Sequence, residues 1–141
     1  LTLRQAFGTL AGRTVAYVGD ANNVARSLGI GCGLAGVGFR ISSPPGYRFD
    51  ERSLDRIRAS GADVQVLEDP LEAVRGVDAV YTDAWYSMGQ EEEARHRREA
   101  FARWRVDAAL MDAAGPAAVF LHCLPALRGV DATDDVLAGT A

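Results

Sequence analysis

Lysine is absent from this sequence, and all 15 of its basic residues are arginine. Several enzyme classes depend on a lysine as a Schiff-base nucleophile, as the cation of a phosphate-binding loop or as a general base. The absence of lysine excludes these roles within the chain, and we attribute the arginine bias to a GC-rich genome. With a formal net charge of −4, the composition gives no reason to expect nucleic acid or an anionic membrane as a partner.

Cysteine and histidine are scarce, with two of each. Cys32 and Cys123 lie far apart, so no disulfide framework is predicted and a reducing cytoplasm is the expected setting. Together with His96 and His122 they do not form the spacing of a zinc site, and we predict no metal. Cys32 lies between two glycines in an apolar helical stretch and is expected to be a small buried residue.

Long hydrophobic runs are absent as well. No apolar segment approaches the ~20 residues that span a bilayer, and no signal-peptide pattern is present, so we expect no membrane association. A length of 141 residues and a hydrophobic content of 48% are typical of one globular domain with a full core.

Short apolar runs alternate with longer helical patterns along the whole chain. Five runs are predicted to be strands, at residues 14–18, 38–42, 64–67, 77–82 and 119–121. Helices are predicted at 22–35, 50–60, briefly from 69–70 onward, 91–101, 106–113 and 134–137. Strands separated by helices pair in parallel through right-handed crossovers. The sequence therefore predicts one α/β domain with a Rossmann-like, doubly wound parallel sheet of about five strands and helices on both faces.

Two of the predicted helices have an apolar side that should face the core. In the helix of residues 22–35 these residues are Val24, Leu28 and Leu34, although several glycines interrupt the pattern. In the helix of residues 50–60 they are Leu54 and Ile57.

The turn after the first predicted strand differs from a dinucleotide-binding turn. It reads Gly-Asp-Ala-Asn-Asn at residues 19–23 and lacks the G-x-G-x-x-G spacing that accommodates a pyrophosphate. The turn instead offers the carboxylate of Asp20 and the amides of Asn22 and Asn23. A small polar ligand is therefore a better fit than NAD.

Polar residues follow two further strands where each strand ends. Residues 83–89 read Asp-Ala-Trp-Tyr-Ser-Met-Gly after the fourth strand, and residues 122–125 read His-Cys-Leu-Pro after the fifth. Ligands of open α/β sheets bind beyond the carboxyl ends of the strands. The two clusters are therefore predicted to form one site.

Asp83 has two interpretations from its position alone. Its carboxylate is suited to an ammonium group through charge-assisted hydrogen bonds, and it is equally typical of a helix cap or a solvated turn. The nearby Ser87 and Gly89 favour ligand binding, although Ser87 with Gln90 also matches a capping box. Trp85 is expected to be a packing residue rather than a platform for a ligand.

The adjacent imidazole and thiol of His122 and Cys123 suggest a base and its nucleophile. Neighbouring residues of a strand point to opposite faces, however, so the two side chains are not expected to form a dyad. Cys123 is better placed to orient a ligand together with nearby carbonyl groups. Pro125 permits a cis peptide bond that would turn carbonyls toward the site.

Three segments carry a specific family resemblance. YTDAWYSMGQEEE at 81–93 and FLHCLPALRG at 120–129 resemble the two signature segments of ornithine carbamoyltransferases, and VAYVGDANNVARS at 15–27 resembles the family's VGDGNNVAHS segment. The resemblance covers essentially the whole chain and implies the C-terminal, ornithine-binding domain of the aspartate/ornithine carbamoyltransferase superfamily. Such enzymes transfer the carbamoyl group from carbamoyl phosphate to the δ-amino group of L-ornithine, giving L-citrulline and phosphate. The resemblance implies no cofactor.

The resemblance also implies roles for individual residues. Asn23 corresponds to the amide that holds the α-carboxylate of ornithine, with Asn22 in support. Asp83 and Ser87 correspond to the contacts of the α-amino group, and the Met88 backbone completes that clamp. The Ser-Met-Gly triplet favours ornithine over the aspartate or putrescine of related transcarbamylases.

Further residues correspond to the reacting end of the substrate. Cys123, the expected catalytic residue, and the Leu124 carbonyl correspond to the groups that meet the δ-amine and the carbamoyl nitrogen. The Leu124–Pro125 bond is expected to be cis, and His122 to face the opposite side or the second ligand. Because the amine must be neutral to attack, a thiol and carbonyl groups can orient it. Gly89 suits a loop that moves over the substrate.

The sequence departs from the family pattern in ways that leave other substrates and another function open. Leu127 and Arg26 replace polar residues of many members, which leaves acylated ornithine or putrescine as alternative acceptors. The Ser-x-Arg-Thr and His-Pro-x-Gln motifs of the carbamoyl-phosphate domain and the C-terminal EAENR segment are absent from the chain. We therefore expect residues 1–141 to be a fragment that is inactive alone, from a protein that is trimeric by family resemblance. A non-catalytic amino-acid-binding module is the alternative from another class.

Overall fold

The computed structural model describes residues 1–86 and 91–139. Those residues form the strands β1 (Thr14–Val18), β2 (Gly38–Ser42), β3 (Val64–Leu67), β4 (Ala79–Thr82) and β5 (Val119–His122). The helices are α1 (Thr2–Phe7), α2 (Asn23–Leu34), α3 (Glu51–Arg58), α4 (Pro70–Val74), α5 (Glu91–Phe101), α6 (Ala108–Ala114) and α7 (Asp134–Leu137), with a 3₁₀ turn at Ala102–Trp104. Within these ranges, no helix is long and apolar enough to cross a membrane.

The strands form one parallel sheet in the order β3-β2-β1-β4-β5. Tyr17 of β1 pairs with Ile41 of β2 on one side and with Tyr81 of β4 on the other. The chain therefore winds from β1 to one edge, returns to β4 beside β1, and continues to the opposite edge. This reversal between β1 and β4 is the switch point at which open α/β sheets bind ligands. The predicted fold class is confirmed.

Alternate residues of β1 enter two separate cores, because successive side chains of a strand point to opposite faces. Val15 and Tyr17 pack with residues of α2 and α3 on one face. Ala16 and Val18 pack on the other face with residues of α4, α5, α6 and α7. All four side chains are fully buried, so β1 is the centre of the domain and its carboxyl end is rigidly placed.

Polar side chains determine where four helices begin. Each accepts a hydrogen bond from a backbone N–H group two or three residues further along the chain, an interaction worth about 1 kcal/mol. These capping residues are Asn22 for α2, Asp50 for α3, Asp69 for α4 and Asp107 for α6. Because Asn22 follows β1 closely, its cap places the N-terminus of α2 at the switch point.

Several element boundaries differ from the predicted ones. The strand predicted at 77–82 begins at Ala79. The helix predicted at 106–113 begins at Ala108, because Asp107 caps it and Val106 instead forms a bridge with Ala132. The fifth strand extends to His122. The helix α1 and the 3₁₀ turn have no counterpart among the predicted elements.

The buried face of α2 also differs from the predicted one. Small residues face the core, namely Ala25, Gly29 and Cys32. Leu34 is 77% exposed, so its predicted burial is wrong, and Val24 and Leu28 are only half-buried. The predicted burial of Cys32 is confirmed.

Close packing of α2 explains why its buried residues are small. A Cβ atom added to Gly29 would lie 2.9 Å from Ile57 of α3 and 3.0 Å from Phe39 of β2. Ile57 is fully buried there, and its predicted burial is confirmed, as is that of Leu54.

Replacing Gly33 of α2 with alanine should destabilise the domain by roughly 2–3 kcal/mol through overpacking. The new Cβ would contact Ser60 Oγ and would lie 2.6 Å from Ala62 N and 2.9 Å from Ser60 O. Gly31 is the matched control, since a Cβ there meets nothing within 4 Å. Gly31→Ala should stabilise the same helix by up to about 1 kcal/mol. Urea denaturation of the 141-residue chain measures both changes, and equal midpoints for the two variants would contradict this account.

Candidate active site

A groove of about 510 Å³ opens at the carboxyl edge of the sheet, at the switch point. Its walls come from the turn after β1, the segment after β4, helix α5 and the segment after β5. The residues that line it are Asp20, Asn22, Asn23, Asp83, Ala84, Trp85, Tyr86, Arg97, Leu124, Pro125 and Leu127. Residues that follow three separate strands therefore meet around one groove, with polar residues after β1 and β4 and apolar residues after β5.

Asp83 connects the three strand ends. Its carboxylate accepts hydrogen bonds from Asn22 Nδ2 at 2.9 Å, from Ala84 N at 2.7 Å and from Cys123 Sγ at 2.7 Å. The bond from Ala84 fits the interpretation of a turn residue, but the other two bonds reach across the groove. None of the three donors is charged, so none of them balances the negative charge of Asp83. Such a carboxylate is suited to a cationic ligand.

The two asparagines after β1 differ in their surroundings. Asn22 is half-buried, and its Oδ1 accepts from Val24 N and Ala25 N while its Nδ2 donates to Asp83. Asn22 therefore fixes both the start of α2 and the orientation of Asp83. Asn23 is exposed and lines the groove at the first turn of α2, where the helix dipole favours an anion.

Cys123 presents an exposed thiol that donates to Asp83. Partial burial and the hydrogen bond with the Asp83 carboxylate raise the pKa of Cys123 to about 11. The thiol is therefore protonated at neutral pH, which is the opposite of what a thiolate nucleophile requires. Cys123 is a hydrogen-bonding group in this groove.

The side chain of His122 turns away from Cys123. Its Nε2 atom lies 2.7 Å from Asp131 Oδ2, and its Nδ1 atom accepts from Leu124 N at 2.8 Å. Both ring nitrogens are therefore occupied by groups other than the thiol. This geometry agrees with the expectation that His122 and Cys123 do not form a dyad.

The segment after Cys123 lines the groove with apolar side chains. The Leu124–Pro125 peptide bond is cis, as expected, and Leu124 has a φ of 58°. The Leu124 side chain is 68% exposed. Leu127, one of the departures from the family pattern, lines the same wall.

Arg97 of α5 contributes to the groove, although it is not among the predicted site residues. Its Nη1 atom donates to Asp20 Oδ2 at 2.7 Å and to Trp85 O at 2.8 Å. Its guanidinium carbon also lies 5.0 Å from the centre of the Tyr47 ring. Arg97 thus joins α5 to the turn after β1 and to the segment after β4.

Helical spacing is the signal that identifies Arg97. Ala94, Arg97 and Phe101 are separated by three and four residues and so share one face of α5. Ala94 and Phe101 are buried, so the arginine between them faces the protein rather than the solvent. Trp85 is buried 5.3 Å from Phe101 between ring centres, which confirms its predicted packing role.

Three residues predicted to belong to the site, Ser87, Met88 and Gly89, lie outside the described residues. The capping box proposed for Ser87 and Gln90 lies outside them too. The described part of the site therefore consists of the residues after β1 and β5, residues 83–86 and Arg97.

Alkylation should report the raised pKa of Cys123. In the 141-residue chain, the rate with iodoacetamide should be slow at pH 7 and rise roughly tenfold per pH unit up to about pH 10, because only the thiolate reacts. Asp83→Asn should accelerate the reaction at pH 8, since removing the carboxylate lowers the pKa of the thiol. Cys123→Ser is the control, because the remaining Cys32 is buried and has a pKa raised to about 12. A rate that reaches a plateau near pH 8.5 would contradict the assignment.

A doubly wound parallel sheet with a polar groove at its switch point is the architecture of α/β proteins that bind small ligands beyond the carboxyl ends of their strands. The chain belongs to the aspartate/ornithine carbamoyltransferase family. The family model of the Asp/Orn binding domain matches residues 11–141.

The chain is similar to ornithine carbamoyltransferases from distant organisms. It is 47% identical over 143 residues to that of Gloeobacter violaceus, covering 99% of the chain and 46% of the relative. It is 46% identical over 138 residues to the chloroplastic protein of Pisum sativum, covering 97% and 37%. The solved structure from Pyrococcus furiosus matches with a TM-score of 0.89 at 43% identity, over 96% of the chain and 45% of that structure. The chain thus spans less than half the length of these relatives.

Proposed function

We propose that this chain is the ornithine-binding domain of a longer enzyme that transfers the carbamoyl group of carbamoyl phosphate to the δ-amino group of L-ornithine. The products are L-citrulline and phosphate. The observation that carries the proposal is the Asp83 carboxylate, held at the switch point by three neutral donors. A carboxylate in this state offers a charge-assisted contact to the ammonium group of an amino acid. The names of the relatives support ornithine as that amino acid.

Each ionisable group of ornithine has a proposed partner. Asn23 holds the α-carboxylate, assisted by the N-terminus of α2. Asp83 contacts the α-ammonium group, with Ser87 and the Met88 backbone completing the clamp. The orientation of Asp83 supports this assignment, because Asn22 Nδ2 holds the carboxylate from the neighbouring turn.

Cys123 and the Leu124 carbonyl are proposed to meet the reacting δ-amine and the carbamoyl nitrogen. The neutral amine attacks the carbonyl carbon, the new C–N bond forms, and the C–O bond breaks as phosphate leaves with its electron pair. The nitrogen, which gains a positive charge when the new bond forms, gives one proton to the departing phosphate. Since the raised pKa keeps the Cys123 thiol protonated, the cysteine acts by orienting the amine rather than by covalent attack. Carbamoyl phosphate is already an activated anhydride, so the proposed reaction requires no cofactor.

The cellular setting is part of the proposal. Cys32 and Cys123 are both free thiols, which supports a reducing cytoplasm. The family resemblance supports a homotrimer and a role in citrulline formation for arginine biosynthesis.

Citrulline formation tests the proposal directly. The full-length enzyme should convert ornithine and carbamoyl phosphate to citrulline with a higher kcat/KM than acylated ornithine or putrescine. The 141-residue chain alone should form none, because Arg97, the one arginine that lines the described groove, already pairs with Asp20 and Glu93. Citrulline from the chain alone would refute the division into two half-sites. A higher kcat/KM for another amine would identify that amine, and not ornithine, as the acceptor. If the full-length protein binds ornithine without turnover, it is a non-catalytic module.

A further inference from the structure

Two buried side chains, His122 and Asp131, brace the segment that follows Cys123. Asp131 is fully buried, and the His122 side chain is 3% exposed. Asp131 Oδ2 lies 2.7 Å from His122 Nε2, and its Oδ1 accepts from Leu127 N at 2.8 Å. His122 Nδ1 accepts from Leu124 N at 2.8 Å. The pair therefore holds the backbone at both ends of residues 124–127.

These contacts determine the tautomer of His122. A backbone N–H can only donate, so Nδ1 must carry a lone pair to accept from Leu124. The proton of the neutral ring is then on Nε2, where it is donated to the carboxylate of Asp131. In this arrangement neither nitrogen remains available to take a proton from Cys123 or from a bound amine.

The bond from Leu124 N to His122 Nδ1 acts on a residue whose backbone conformation is unfavourable. Leu124 has a left-handed φ of 58°, which is unfavourable for a side chain with a Cβ atom, and it is 68% exposed. Packing of its side chain therefore does little to hold this conformation. The hydrogen bond from Leu124 N to the imidazole is the contact that does, and Asp131 keeps the imidazole in place.

We propose that His122 and Asp131 are positioning residues for carbamoyl transfer, acting through the Leu124 backbone rather than by proton transfer. This inference rests on the proposed function, in which Cys123 and the Leu124 carbonyl meet the reacting groups. Misplacing reacting groups by about 1 Å can cost on the order of 100-fold in rate. The effect is therefore expected mainly in kcat.

Two substitutions of His122 separate the two ends of the brace. Counted in bonds from Cβ, the amide oxygen of asparagine takes the place of Nδ1, and the amide nitrogen of glutamine takes the place of Nε2. His122→Asn thus keeps the acceptor for Leu124 N, whereas His122→Gln keeps the donor to Asp131 and loses that acceptor. His96 is exposed on α5, and His96→Asn is the matched control.

In the full-length enzyme, His122→Gln should lower kcat about 100-fold, with a much smaller change in the ornithine KM. The kcat of His122→Asn should stay within about tenfold of the wild-type value. The kcat of the control, His96→Asn, should equal the wild-type value. Per folded enzyme, a purely structural role would lower the melting temperature and leave kcat unchanged. Equal kcat values for the asparagine and glutamine variants would overturn the proposal.

The tautomer provides a readout that does not depend on activity or on the folding of variants. In wild-type enzyme labelled with ¹⁵N-histidine, His122 should show a protonated Nε2 resonance and an unprotonated Nδ1 resonance, and a protonated Nδ1 would refute the brace. If the wild-type enzyme forms no citrulline, the proposed function fails, whereas the NMR result still decides whether the brace exists. If the wild type is active and the two His122 variants behave alike, only the brace fails.

Discussion

Asp83→Asn in the full-length enzyme should raise the KM for ornithine about 100-fold, the loss expected when a hydrogen bond between two charged groups worth about 3 kcal/mol is removed. Asparagine has nearly the shape of aspartate and keeps an oxygen that can accept from Asn22 Nδ2. The substitution therefore removes the charge at nearly constant shape, and the asparagine NH2 group takes the place of the oxygen that accepts from Ala84 N and Cys123 Sγ. Because the proposed contact with the α-ammonium exists in both the ground state and the transition state, KM should change more than kcat. Steady-state kinetics with varied ornithine measure both constants.

A matched control is Asp112→Asn. Asp112 is an exposed carboxylate on α6 that does not line the groove, so its loss changes the net charge equally without touching the site. If the ornithine KM of Asp83→Asn lies within twofold of the wild-type value, Asp83 does not contact the substrate. The same KM in both variants would mean that only the overall charge matters.

The difference between the two carboxylates of the groove explains why Asp83 is the proposed ammonium ligand. Asp20 pairs with Arg97 at 2.7 Å, and both side chains are 19% exposed. The partners of Asp83 are neutral. An incoming ammonium group would therefore compete with a guanidinium at Asp20 but with no cation among the contacts of Asp83.

The fold was largely predictable because the sheet repeats one local rule. The predicted strands are short, mostly apolar runs, and the next helix after β1, β2 and β3 begins at a capping residue, namely Asn22, Asp50 and Asp69. The prediction was wrong where tertiary packing overrides local pattern. Leu34, the last residue of α2, is exposed. The face of α2 that packs against α3 carries small residues instead, and Gly29 faces Ile57.

The site was predictable only where function adds polar residues to strand ends. Asn22, Asp83 and Cys123 stand out in this way, and the structure joins them by hydrogen bonds. Arg97 and Asp131 do not directly follow a strand; helical spacing places Arg97 on the buried face of α5, but the sequence does not indicate the partner of either residue. Their roles depend on partners that are 77 and 9 residues away in the chain, and only the folded arrangement reveals those distances.

Arg97→Met should lower kcat/KM for ornithine about tenfold or more, chiefly through KM. Methionine keeps most of the apolar bulk beside Tyr47 but removes the bonds to Asp20 and to Trp85 O. Breaking a largely buried ion pair leaves Asp20 as an uncompensated carboxylate, at a cost of about 2 kcal/mol or more. In the groove, the unpaired carboxylate of Asp20 then repels the α-carboxylate of ornithine, which Asn23 is proposed to hold in the same groove.

This repulsion distinguishes the proposed role of Arg97 from a loss of stability. Asp20→Asn combined with Arg97→Met should recover part of the lost ornithine affinity, because the double variant no longer contains the uncompensated charge. Arg95→Met, an exposed arginine on the same helix, should leave the kinetics unchanged. If the double variant binds ornithine no better than Arg97→Met alone, Arg97 contributes by holding α5 against Trp85 O and not by neutralising Asp20. The affinity of the double variant for ornithine therefore decides whether Arg97 neutralises the charge of Asp20 or only holds α5 in place.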